Sequence, residues 1–339
     1  MTSGVETYGY DCRWCANALI RLGLCVALLA PAVGGVFCAE PFGSTKKQEL
    51  SFYFGVKGYE PNSWFGEPSA LALDERSGLI YVADQKAGVV NAFSTQGVAK
   101  FQYGTKNGLK APVGLAVDKL GNVYVSENEG GPIKIINSRA DISTLELPSD
   151  EKQGREAPKP GRMTFDRDGN LCVVDRANCQ VIVFDKDRKF KFRFGGIGDK
   201  RGEFKLLQDV AVDRQGRFYT ADSVGIPVQV FDRSGGYVSG IGRRGEASQD
   251  LSFATGIFVD RNDQVWVVDK IQHCLKVFDR SGMFLRSFGT YGQGEGSLFY
   301  PVAATADSLG RVYVLEAGAR RLQVFSLSQP FEPLSPAGR

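Results

Sequence analysis

Histidine is almost missing from this chain: one residue, His273, in 339. That excludes a zinc site built on several histidines and a mechanism needing histidine bases at more than one step. Cysteine is scarce where it would matter. Cys12, Cys15, Cys25 and Cys38 crowd the N-terminal leader, leaving Cys172, Cys179 and Cys274, too few for a disulfide-held fold. Cys12-Arg13-Trp14-Cys15 has redox or metal spacing, but no second pair accompanies it. Neither sign of charge dominates. The 41 Lys and Arg against 38 Asp and Glu leave +3, no footprint of a nucleic-acid binder. Apart from residues 22–39 there is no long apolar run, which excludes a polytopic membrane protein. Neither a Gly-x-Ser-x-Gly elbow nor a Walker loop is present.

What the chain has in abundance is glycine, 41 residues, with many Phe and Val, a composition of short strands and tight turns. Its start reads differently. LGLCVALLAPAVGGVFCA (residues 22–39) is uncharged, follows Arg13 and Arg21, and precedes a polar stretch with Lys46 and Lys47. A basic lead before an apolar run is the pattern of an export signal, and an uncleaved membrane anchor is the other reading of residues 1–39. Either way the rest of the chain is expected outside the cytoplasm, periplasmic or extracellular, or tethered to the membrane by this segment.

From residue 49 to 328 one phrase returns six times: apolar run, Asp, turn, apolar run, acid, loop, apolar run. The first acid falls at Asp74, Asp118, Asp166, Asp213, Asp260 and Asp307, at spacings of 44, 48, 47, 47 and 47 residues. The second falls at Asp84, Glu127, Asp175, Asp222, Asp269 and Glu316. Segments such as NVYVS, RFYTA, QVWVV, VIVF and LKVF are strands joined by Gly, Asn and Asp turns. About four strands in ~47 residues is the size of a propeller blade, so the expectation is an all-β, six-bladed β-propeller of four-stranded blades. ELSFYFGVKG, from Glu49, matches MFLRSFGTYGQG, from Met283, and the last repeat lacks such a strand. The N-terminal strand is therefore expected to close the last blade, leaving residues 329–339 as a tail.

These phrases resemble the NHL-repeat family. VGLAVDKLGNVYVSE, QDVAVDRQGRFYTAD and KVFDRSGMFLRSFG carry its entry phrase, its Ala-Val-Asp ending, its Tyr-Val-Ala-Asp-type strand and its Val-Phe-Asp turn. Blade two departs, with Ile135-Ile136-Asn137 in place of Val-Phe-Asp and an irregular stretch from Ser138 to Lys159. The resemblance implies the fold and says little about activity, since the family holds binding modules, scaffolds and a few enzymes.

Candidate site residues follow from the ring. The second acids recur in every blade, which points to bonding of loop N–H groups. The third residue of each entry phrase is Ala70, Gly114, Arg162, Asp209, Gly256 and Ala303. Four are small; Arg162 and Asp209 break the pattern in neighbouring blades. With Gln208 and Thr255 beside them they are either a polar ligand site at the channel mouth or an inter-blade salt bridge. Lys86, Arg176, Lys270, His273 and Arg320 share the same entry face. His273 occupies a position where the NHL pattern often has His. Asp166-Arg-Asp168-Gly-Asn170 starts like a calcium loop but lacks its closing Glu. In KDRKFKFR (186–193) Phe190 and Phe192 are expected inward and the cations outward.

The function expected is that of an exported or envelope-associated binding or scaffold module acting through its loop-lined face, without catalytic residues or a resident metal. Its partner is expected to be a protein or a cell-envelope component, with nucleic acid not expected unless the chain stays in the cytoplasm, and membrane contact confined to the N-terminal segment. The alternative is a lactonase- or lyase-type propeller enzyme using calcium or zinc, or the Arg162/Asp209 pair, in the channel.

Overall fold

The computed structural model of the chain describes residues 49–149 and 154–328. The leader with its signal or anchor, its four cysteines and the tail from 329 lie outside the described residues. Among the described residues no helix is long and apolar enough to cross a membrane.

Six antiparallel sheets of four strands make an all-β, six-bladed propeller. Blade 1 is β2 (Pro68–Asp74), β3 (Leu79–Asp84), β4 (Val89–Ser94) and β5 (Ala99–Tyr103). Blade 2 is β6 (Pro112–Val117), β7 (Val123–Glu127), β8 (Ile133–Ile136) and β9 (Ile142–Leu145), so a regular outer strand lies inside the irregular stretch of blade two. Blade 3 is β10 (Pro160–Phe165), β11 (Leu171–Asp175), β12 (Gln180–Phe184) and β13 (Phe190–Gly195). Blade 4 is β14 (Leu207–Val212), β15 (Phe218–Asp222), β16 (Val228–Phe231) and β17 (Tyr237–Ile241). Blade 5 is β18 (Ala254–Val259), β19 (Val265–Asp269), β20 (Cys274–Phe278) and β21 (Phe284–Phe288). Blade 6 is β22 (Pro301–Ala306), β23 (Arg311–Glu316) and β24 (Arg321–Leu327), with β1 (Leu50–Val56) antiparallel to β24 as its fourth strand. The inner strands touch in chain order and β22 touches β2.

The core is a set of six seams, each between neighbouring blades. Strand alternation builds them. In β15, Phe218 faces the seam with blade 3 while Tyr219 and Ala221 face the seam with blade 5. Second strands are therefore buried on both sides and read as continuous apolar runs.

Polar groups are pushed to the two ends. At the turn face the first acid organises an Asx turn: Asp213 accepts from the Gln215 and Arg217 N–H groups at 2.9 and 2.8 Å. At the entry face the second acid clamps two loops. Asp222, with no exposed surface, accepts from the N–H groups of Lys205, Leu206, Val224 and Gly225 at 2.7, 3.1, 2.8 and 2.7 Å. Where Glu replaces Asp, a cation joins it: Lys134 on Glu127 at 3.0 Å and Arg321 on Glu316 at 2.7 Å.

Phe190 differs from expectation. At a register shift in the β12–β13 pairing Phe190 is 47% exposed, with the Arg193 guanidinium 5.1 Å from its ring; Phe192 packs inward.

Candidate functional site

The inner strands start at the entry face, where small residues let them crowd. A Cβ on Gly114 would lie 2.0 Å from the Gly161 carbonyl oxygen, so only glycine fits there. Hydroxyls stitch blade to blade at this end: Ser69 to the Pro112 carbonyl at 2.8 Å, Ser126 to Gly161 at 2.7 Å, Ser223 to Ala254 at 2.7 Å.

Arg162 spans this end of the ring. Its Nη1 donates to the Thr255 carbonyl at 2.9 Å and to Asp209 Oδ2 at 3.3 Å, and its Nη2 to the Ser69 carbonyl at 3.0 Å. One side chain of blade 3 thus ties blades 4, 5 and 1. Asp209 also accepts from the Ile257 N–H at 3.2 Å and the Val210 N–H at 2.9 Å. Burial pushes the Asp209 carboxyl above its usual range, opposed by Arg162 and these N–H groups. Below the tie lies a channel cavity of about 290 Å³, lined by apolar residues of all six inner strands with the Thr164 and Thr305 side chains among them. Among the described residues no three His, Cys, Asp or Glu side chains cluster as a metal site. The Asp166 carboxylate is engaged by the backbone and side chain of Asn170.

The structure brings Arg162, Asp209 and Thr255 together, with Gln208 next to them on β14. It spreads the other entry-face candidates around the ring. Arg176 donates to the Asn128 carbonyl at 2.7 Å and side chain at 3.2 Å in blade 2, and Arg320 to the Phe65 carbonyl at 2.8 Å near blade 1. Lys86 and Lys270 lie on loops of blades 1 and 5. His273, at a φ of 54°, sits in a left-handed loop position that Gly88, Cys179 and Arg320 share in other blades. Its Nδ1 accepts the Tyr300 N–H at 3.0 Å, and its ring packs on Tyr291, Phe299 and Tyr300. Burial holds the His273 imidazole below its usual 6.5.

Sequence reasoning missed a set of exposed apolar residues on the entry loops: Trp64, Ile197, Leu206, Val224, Ile271, Tyr291 and Tyr300. The turn face shows Val98, Leu120, Met283 and Leu309, one per turn and scattered. The available signal was an apolar residue standing among Gly and charged residues outside any strand.

No family model and no curated protein sequence matches the chain. Solved structures do resemble it. A gluconolactonase from Xanthomonas campestris superposes with a TM-score of 0.59 at 16% identity, covering 77% of this chain and 86% of that one. These likenesses show the fold. Virginiamycin B lyase from Staphylococcus aureus gives 0.58 at 16% identity over 85% of this chain and 90% of that chain. A Bacteroides thetaiotaomicron protein of unknown function gives 0.65 at 15% identity over 83% of this chain and 76% of its own.

Two outcomes follow. Arg162→Met strands a buried carboxylate and two carbonyls, and urea unfolding should show a loss of about 3 kcal/mol, partly recovered by adding Asp209→Asn. A loss under about 1 kcal/mol would show that the tie does not hold the ring. The single histidine should titrate by NMR with a midpoint below 6.5. Its contribution to stability is then full above 6.5 and declines as pH falls through that value, because the unfolded chain takes the proton more readily. A midpoint at or above 6.5 contradicts the packing described for His273.

Proposed function

We propose that this chain is an NHL-type binding module, exported or held at the cell envelope, that engages a protein partner through its entry face without chemistry of its own. The observation that carries this reading is the gathering of exposed Trp64, Ile197, Leu206, Val224, Ile271, Tyr291 and Tyr300 on the entry loops. Aromatic and aliphatic anchors amid polar loops are the make-up of protein-binding surfaces, and loops on a rigid ring keep them in place. The Arg162 tie supports it further. A guanidinium occupied by two carbonyls and a carboxylate is a brace across the ring.

A second reading is favoured by the likeness to lactonase and lyase propellers and by the channel cavity with Arg162 and Asp209 at its end. On that reading the chain is an enzyme. Against it, a histidine-to-alanine variant of the staphylococcal lyase is catalytically inactive, whereas the one histidine here lies away from the cavity lining in an aromatic cluster.

Crosslinked capture of the tagged protein from its native envelope separates the readings. A protein partner should be captured by the native chain and by Leu120→Glu/Leu309→Glu on the turn face, and lost with Ile197→Glu/Tyr291→Glu on the entry face. Capture untouched by the entry-face pair would overturn the chosen surface. Absence of any protein partner, with lactone opening by the purified chain, would replace binding by catalysis.

A further inference from the structure

At the entry face one loop is fastened differently from the other five. The residue just before each inner strand gives its N–H to the second acid of its own blade: Glu67 to Asp84 at 2.8 Å, Ala111 to Glu127 at 2.6 Å, Lys159 to Asp175 at 2.9 Å, Leu206 to Asp222 at 3.1 Å and Phe253 to Asp269 at 3.2 Å. In blade 6 that residue is Tyr300, and its N–H goes instead to Nδ1 of His273, on the loop between β19 and β20 of blade 5. The second acid there, Glu316, takes the Phe299 N–H at 2.7 Å and is occupied by Arg321 at 2.7 Å and Gln323 at 2.6 Å. Tyr300 is also the one member of the six with a positive φ, 50°. That conformation costs a tyrosine energy and persists where its surroundings hold it.

An imidazole nitrogen accepts a hydrogen bond only while it carries no proton, and histidine is the side chain whose ordinary titration lies between about pH 5 and 8. Proton uptake at Nδ1 sets two N–H donors face to face across the 3.0 Å now spanned by the bond, so the Tyr300 N–H has to leave. Attraction of the imidazolium to the surrounding rings does not restore an acceptor at Nδ1. Burial of the ring disfavours the imidazolium, and Asp269 on the same segment opposes this; the Asp269 carboxylate is held by the Ser252, Phe253 and Gln272 N–H groups at 2.6, 3.2 and 3.1 Å. Lys270 flanks it in sequence, and Lys276 is turned to the Asp250 carbonyl and the Gln272 side chain. Loop 242–253 adds Glu246, Arg244 and Asp250, the last paired with Arg243 at 2.7 Å, and loop 289–300 adds Glu295, Tyr291 and Tyr300. From the β23–β24 loop, Glu316 is paired with Arg321, and Arg320 is turned to the Phe65 carbonyl.

We propose that His273 is a pH-sensitive clamp of the entry face: neutral, it holds Tyr300 and the aromatic cluster in the binding arrangement, and protonated, it frees them. Three of the seven exposed entry-face anchors, Ile271, Tyr291 and Tyr300, stand on the two loops that this residue joins, so acidification weakens the hold on a partner. The change is local. Arg321 still bonds the Gln293, Gly294 and Ser297 carbonyls at 2.8, 2.9 and 2.9 Å, and the Tyr300 carbonyl still accepts the Ala317 N–H at 3.0 Å. Release of a partner rests on the entry-face reading of function, whereas the clamp is tested on the chain alone.

In the full chain isotope-labelled at tyrosine, the Tyr300 amide should titrate by NMR from about pH 7.5 to about pH 5 with the midpoint of the His273 imidazole. Its protection from solvent exchange, after allowance for the intrinsic pH dependence, should fall about five-fold or more across that midpoint. His273→Asn keeps an acceptor near the Nδ1 position and suits a positive φ, so Tyr300 should stay protected at both ends of the titration. His273→Leu has no acceptor and should leave Tyr300 unprotected throughout. In crosslinked capture, the yield at about pH 7.5 over that at about pH 5 should be about five or more for the native chain and about one for His273→Asn. Tyr300 protection that ignores the His273 midpoint overturns the clamp. A titrating Tyr300 with entry-face capture equal at the two pH values overturns the control of binding and leaves the entry-face reading standing. Capture that ignores Ile197→Glu/Tyr291→Glu sinks that reading and the partner release with it, whatever Tyr300 does.

Discussion

Each blade of this protein has to cover both of its faces, and that constraint shapes the rest of the molecule. Four short strands cannot do so alone. The second strands are buried along nearly their whole length, and their side chains divide between two seams shared with two neighbours. Six seams can exist only in a ring, so β22 must meet β2, and β24 is paired along its outer edge by Leu50–Val56. Because the seams consume the apolar residues, polar groups are expelled to the rims, where recurring carboxylates satisfy loop and turn N–H groups. The acids look like a ring of ligands in sequence and act as fasteners in space.

The same economy makes the two rims unequal. Long loops joining blades crowd the entry face, and Arg162 braces it by reaching carbonyls two blades away on either side. What remains available there is surface, dressed with aromatic and aliphatic side chains. The turn face has only tight turns, which leave the channel open and ring its mouth with carboxylates and guanidiniums of both signs.

Much of this was legible in the sequence. A phrase recurring at ~47 residues specifies blade number and strand content, because each strand is short and bounded by turn residues and the second and third strands of each blade read as apolar runs. Arg162 and Asp209 stood out because they occupy positions where neighbouring blades keep Ala or Gly. Their role did not, since two of the three acceptors of Arg162 are backbone carbonyls, which every residue carries. Phe190 misled because it sits at a register shift and stays exposed against strand alternation. The entry-loop patch went unread because Trp64, Ile197 and Tyr291 lie in blade-joining loops, outside the repeated strand phrases. The channel mouth was hidden because Arg167 and Arg214 look alike in sequence, and only space shows that Arg214 has Asp263 and Arg167 has no such acid.

The central claim is that partner binding falls on the loops of the entry face. Hydrogen exchange of the captured complex against the free chain tests it most directly. Slowed exchange should concentrate in the blade-joining loops 196–206, 242–253 and 289–300, with the first turns of each blade unchanged. Protection confined to turns such as 118–122 and 213–217 would contradict the account, because the partner would then sit over the open channel.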